Sequence, residues 1–262
     1  MQPTKRFLAG HNKWSKIRHK KGANDKKKAA LMGKASQAIT AAAKDCGGDL
    51  SNLRLQSAIS HAKSVQLTKD RIEEAISKAT SKSTSDQDLA SIRFDAMMNF
   101  DGNKVGCVIT ALSDNRNRTT QQVRHAVTKN GGEFLPTDNL SHLFVHVGWI
   151  EVNEVEDEDA LFDCALEAGA INIEDSGDDD DFVEGNGKKS FVITTDEKDL
   201  WQIVTAMRES GYSVAHFEHR YILQDQEHGG VALSLEGEES LLDFLEIMDE
   251  TEDVNNVYHN AI

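Results

Sequence analysis

The sequence predicts an α+β fold: a basic helical domain at the N-terminus, then two ferredoxin-like-type α+β domains. Three observations predict it. Over the first eighty residues apolar positions recur at three- and four-residue steps. A polar segment at 81–88 interrupts them, and beyond it strand-like alternation and helix-like stretches succeed one another to the end. The length of 262 residues suits two or three domains, and 39% hydrophobic with 28% charged residues is a balance that can bury real cores.

In the first region, Leu31, Ala35, Ala38, Ile39 and Ala42 set a helix over 29–43, which Gly47 and Gly48 end. Leu55, Ala58, Ile59, Ala62 and Val65 set a second over 52–65. Thr68 caps a third over 69–79, carried by Ile72, Ala75, Ile76 and Ala79. Strands follow at 92–100 and 104–112, joined by the tight-turn sequence Asp101-Gly102-Asn103, and then a helix at 116–130. The chain continues as strand 140–152, helix 158–168, strand 170–174, an acidic loop, strand 189–195, helix 197–210 and strand 213–223. A short strand near 231–235, a helix at 238–249 and a strand at 253–259 complete it. Two split β-α-β units account for this order.

The net charge of -15 conceals a strong asymmetry. Residues 1–34 hold eleven Lys/Arg and one acid, Asp25, whereas residues 81–262 hold twelve basic and thirty-eight acidic side chains. A dense basic segment is the electrostatic footprint of a polyanion partner. Three scattered cysteines (Cys46, Cys107, Cys164) form no Cys-x-x-Cys pair, which favours a reducing compartment over a disulfide framework or zinc ribbon. No apolar run approaches the length of a membrane helix, so membrane insertion is not expected.

Two segments can carry chemistry. In the first, Lys13, Trp14, Lys16, Arg18, His19, Lys20 and Lys21 interleave cations with aromatic rings, and Lys26-Lys27-Lys28 follow. Such cations hold phosphates without reading sequence. Trp14 suits either stacking on an unpaired base or anchoring the first helix in a core. The second segment runs Asp114-Asn115-Arg116-Asn117-Arg118-Thr119 into a helix bearing Arg124 and His125. Arg116 and Arg118 stand where a helix start can bind an anion, or where arginines pair with neighbouring carboxylates. Enzyme and cofactor readings find little: His142, His146, His216 and His219 lack converging metal-ligand spacing, Asp178–Asp181 lacks the calcium-loop pattern, and no phosphate loop or nucleophile elbow occurs.

The block from Ala9 to Lys20 resembles the opening signature of the YebC/PmpR family. Asp114–Thr119, Val123-Arg124-His125 and Lys129-Asn130-Gly131-Gly132 resemble its second signature, and Leu166–Ala170 its third. The resemblance implies three domains, the last inserted into the second: 9–80; 89–135 with 215–262; and 136–214 as the insertion. Where the family shows a Gly-Pro-Gly-Gly turn this chain has Asp101-Gly102-Asn103-Lys104. Residues 1–8, with Lys5 and Arg6 and no acid, read as a remnant of a targeting segment, and Asn12 and Ser15-Lys16 resemble the mitochondrial branch. Members of that branch are translational activators of cytochrome c oxidase subunit one. The resemblance therefore implies a non-enzymatic, mitochondrial translation factor partnered by RNA and the ribosome, supporting synthesis of respiratory-chain subunits and relieving stalling at proline-rich stretches. The rival is a DNA-binding transcriptional regulator in the bacterial cytoplasm. It needs base-reading side chains on an exposed helix, for which the helical domain offers Gln37 and Asn52.

Overall fold

The structure, a computed structural model, describes residues 25–80, 89–176, 189–225, 228–251 and 253–262, with side chains from Leu31 onward. It divides into two compact units, 1–145 with 222–262, and 146–221. The linker expected at 81–88 and the run Asp178–Asp181 lie outside the described residues.

The first unit opens with three helices, α1 (Asp25–Cys46), α2 (Leu53–Ser64) and α3 (Lys69–Thr80). Their shared core is Ala35, Ile39, Ala42, Ala43, Leu55, Ala62, Leu67, Ile72 and Ala75, so alanine dominates and the helix axes can approach closely. α1 ends because Gly47 and Gly48 take positive φ, and the Gly48 amide donates back to the Ala43 carbonyl at 2.8 Å. A side chain at Gly48 would also strike Thr80 Cγ2. Asn52 caps α2 by accepting from the amides of Arg54 and Leu55.

The same unit holds a four-stranded sheet. β1 (Ala90–Phe100) and β2 (Asn103–Ser113) form the expected hairpin, with Asp101 and Gly102 both at positive φ, as a type I′ turn requires. α4 (Arg116–Lys129) leads to β3 (Glu133–Leu135), which pairs with β1. Much later, α7 (Leu235–Glu250) leads to β8 (Val254–His259), which pairs with β2. The order is β3-β1-β2-β8, antiparallel throughout. One face, carrying Phe94, Met98, Cys107 and Ile109, packs against Val123 and Val127 of α4 and against Leu241, Phe244 and Met248 of α7. The other face is covered by residues 138–143. Buried Asp95 accepts from the Leu140 amide at 2.9 Å and from Arg93, which also bridges to Asp138.

That covering segment corrects one expectation. Residues 140–143 are turn, and the strand expected over 140–152 is β4 (Phe144–Val155). Leu140 and Leu143 look like strand positions because they are apolar, but they press from above on Gly106 of β2. The strand expected near 231–235 is only a single bridge, Val231 to Ala261, since Ser234 already caps α7.

The second unit contains β4, α5 (Glu158–Ala168), β5 (Asn172–Asp175), β6 (Lys189–Asp196), α6 (Leu200–Glu209) and β7 (Ser213–Leu223). Its sheet order, β5-β6-β4-β7, places β6 between β4 and β5, which is the split β-α-β layout. Ile150, Leu161, Phe191, Ile193, Leu200 and Ile203 are fully buried in it. Gly148 is required by close approach, because a Cβ there would meet Leu200 at 2.8 Å.

Candidate nucleic-acid interface

The lysine run expected to hold phosphates opens α1, where Lys26, Lys27 and Lys28 follow Asp25 in the first turn. Cations at a helix N-terminus oppose the helix dipole, so this end of α1 gains from an anion that neutralises them. Lys13, Trp14, Lys16, Arg18, His19, Lys20 and Lys21 lie outside the described residues. Lys34, two turns further along α1, donates through Nζ to the Asp249 carbonyl at 2.7 Å, a cation serving the C-terminal end of α7.

At the start of α4 the structure separates the three arginines. Asn115 caps the helix, accepting from the Arg118 amide at 3.1 Å. The Arg118 guanidinium donates to Asp114 at 3.0 Å and to Asp253 at 2.9 Å. Asp253 is buried and also accepts from the hydroxyls of Ser113, at 2.9 Å, and Thr119, at 2.5 Å. Burial pushes the Asp253 carboxyl up. The hydrogen bonds from Thr119, Arg118 and Ser113, with the Arg118 charge, outweigh it and leave the group below the usual carboxylate range. The Arg118 guanidinium is therefore paired with the protein's own carboxylates, one of the two arrangements the sequence left open. Arg124 lies over the Phe134 ring at 4.9 Å. Arg116 is exposed and makes no ion pair among the described residues. Local spacing gave no sign of Asp253, which arrives 135 positions after Arg118.

The histidines form pairs of a different kind. His146 Nδ1 lies 3.0 Å from Glu197 and its ring stacks on Tyr221, while the His219 ring stands 5.4 Å away. The hydrogen bond from His146 holds the Glu197 carboxyl low against the effect of burial. On β7, Glu218 lies 2.6 Å from Arg220, whose guanidinium covers the Trp149 ring at 3.8 Å. Burial pushes Glu218 up, but hydrogen bonds and charge from His216 and Arg220 hold it at about 2. Among the described residues no group of three or more His, Cys, Asp or Glu is placed to hold a metal ion. The Cys107 thiol is pushed up to about 12 by burial, which makes it a core side chain at neutral pH.

Comparison with known proteins bears on what this arrangement serves. Residues 12–82 match the model of the TACO1/YebC protein N-terminal domain, and residues 89–261 that of the TACO1/YebC second and third domain. The chain belongs to the TACO1/YebC family. That family is a regulatory, non-enzymatic one. A probable transcriptional regulatory protein of Petrotoga mobilis is 37% identical over 79% of this chain and 78% of its own length. Another, from Desulforapulum autotrophicum, is 33% identical over 97% of this chain and 96% of its own. The crystal structure of a conserved hypothetical protein, Aq1575, from Aquifex aeolicus superposes with a TM-score of 0.71. It is 27% identical, over 95% of this chain and 96% of that one. These relatives are bacterial, and they lend no support to the mitochondrial branch expected from the first residues. Among the described residues no helix is long and apolar enough to cross a membrane.

Proposed function

We propose that this TACO1/YebC protein regulates gene expression by binding nucleic acid through its N-terminal region. The observation that carries the reading is the placement of charge: ten net positive charges in residues 1–34, running into the first turn of α1. Lys13, Lys16, Arg18, Lys20, Lys21, Lys26, Lys27 and Lys28 would hold phosphates, and Trp14 or His19 would stack on bases. Arg116 adds a weaker exposed contact. Arg118 and Arg124, engaged with Asp253 and Phe134, position α4 and β3 instead.

The relatives are named probable transcriptional regulatory proteins, which supports transcriptional regulation ahead of mitochondrial translation, and for that role we take the polyanion to be DNA. One observation keeps RNA and the ribosome as the second reading. The exposed positions of α3 carry Lys69, Arg71 and Lys78 against Asp70, Glu73 and Glu74, a neutral surface poorly suited to a major groove. Affinity for duplex DNA and for structured RNA at matched salt separates the readings. Strong preference for one DNA sequence supports the first, and preference for RNA regardless of DNA sequence supports the second. Failure to bind either nucleic acid would sink both.

A further inference from the structure

Two helix ends in the first unit carry charge that opposes their own dipoles. α1 opens on Lys26, Lys27 and Lys28, at the positive end of a helix dipole, where an acid is favoured. α7 closes with Glu246, Asp249 and Glu250 and has no basic residue in its last turn, at the negative end, where a cation is favoured. The two mismatches are of opposite sign, and the helices that carry them touch.

Lys34 makes the contact. Its Nζ donates to the Asp249 carbonyl at 2.7 Å, so the stripe of α1 that carries Lys34 faces the C-terminal end of α7. Positions seven apart share a helix face, which puts position 27 on that stripe, about 10 Å along the axis from Lys34. Leu31 stands between them on the stripe and is 44% exposed, so charge rather than apolar packing acts at this end of α1. At physiological salt charges still act over about 8 Å, and long flexible side chains on both helices shorten the gap that remains.

We infer that the acidic C-terminal end of α7 is an intramolecular counterion for the lysines opening α1, and that a nucleic acid has to displace it. The inference rests on the nucleic-acid reading above and adds a regulation of the same site. Glu246, Asp249 and Glu250 attract the lysines and repel incoming phosphates, and both effects lower affinity. The contact is autoinhibitory: it covers the basic end until a partner with enough phosphates takes it over.

The test titrates the full chain with a labelled DNA duplex and a labelled RNA hairpin. Glu246→Gln with Glu250→Gln should raise affinity for whichever nucleic acid the wild type binds by about two- to fivefold at low salt. The gain should fade as salt rises. Glu236→Gln with Glu239→Gln removes the same charge from the other end of α7 and should leave affinity near wild type. A second readout needs no nucleic acid: melting temperatures in a cycle that combines the Glu246 and Glu250 changes with Lys26, Lys27 and Lys28→Gln. With the lysines neutralised, the acids only oppose the dipole of α7. Removing them should then raise the melting temperature more than it does in the wild type. Equal affinity changes from the two glutamate pairs, or additive melting temperatures, would overturn the inference and leave the nucleic-acid reading standing. A wild type that binds neither nucleic acid would remove that reading, and the regulation with it, even where the cycle shows coupling.

Discussion

The helical region and the unit formed by residues 146–221 are each built on a small apolar core, but they carry opposite charge. Residues 1–80 hold seventeen basic and six acidic side chains; residues 146–221 hold five basic and twenty acidic ones, a net of -15. Ordinary packing explains both cores: alanines and isoleucines between α1, α2 and α3 in one, Ile150, Phe191 and Leu200 in the other. Packing says nothing about the sign of the surface, so the difference points to what each region meets. A polyanion is drawn to the first and repelled by the second. The largest expected effect follows directly. Reversing Lys26, Lys27 and Lys28 to Glu should weaken nucleic-acid binding on the order of a hundredfold or more at moderate salt, read by fluorescence polarisation. Reversing Glu151, Glu154 and Glu156 to Lys should not weaken it, and a comparable loss there would break the comparison.

The next effect concerns stability and leaves charge aside. Phe244 is 1% exposed and packs on Phe100 at 6.1 Å between ring centres. Phe244→Ala should cost about 3–5 kcal/mol in denaturant unfolding. Its nucleic-acid affinity, measured where the variant remains folded, should be that of the wild type.

Asp253→Asn should cost about 2 kcal/mol, because a buried acceptor of three side-chain donors loses its charge. The folded Asp253 titrates below the unfolded carboxylate. Its stabilisation is therefore fully present above about pH 4 and is lost as pH falls through the lower folded value. The variant should close the gap to wild type as the solution is acidified, and a constant gap down to strongly acid pH would contradict the assignment.

Arg116 and Arg118 give the smallest and sharpest contrast. Arg116→Ala should lower affinity only a few-fold and leave stability alone, since one exposed phosphate contact is worth little at physiological salt. Arg118→Ala should do the reverse, lowering the unfolding midpoint through its lost bond to Asp253 with binding unchanged. Equal loss of affinity in both would return Arg118 to the interface.

What the sequence could tell follows the same division between local and distant causes. The three helices, the Asp101-Gly102 hairpin and the strand and helix alternation beyond were legible because apolar period and turn residues are local signals. β3 was not, since three residues set no period. Leu140 looked like a strand residue because it is apolar, and the Asp95 carboxylate that holds its amide in a turn lies 45 positions away. Charge density marks the lysines opening α1 as the candidate site, and the structure places them in the first turn of that helix. At Arg118 two readings stayed open, because phosphate and carboxylate attract arginine alike, and its partner Asp253 was not legible because it is remote in sequence.

The most direct test of the central claim is the salt dependence of nucleic-acid binding in the full chain. Affinity plotted against salt on logarithmic axes should fall steeply for the wild type, and neutralising Lys26, Lys27 and Lys28 to Gln should reduce the slope by about two to three. A slope identical in the wild type and this variant would show that the basic N-terminal end of α1 does not hold the phosphates.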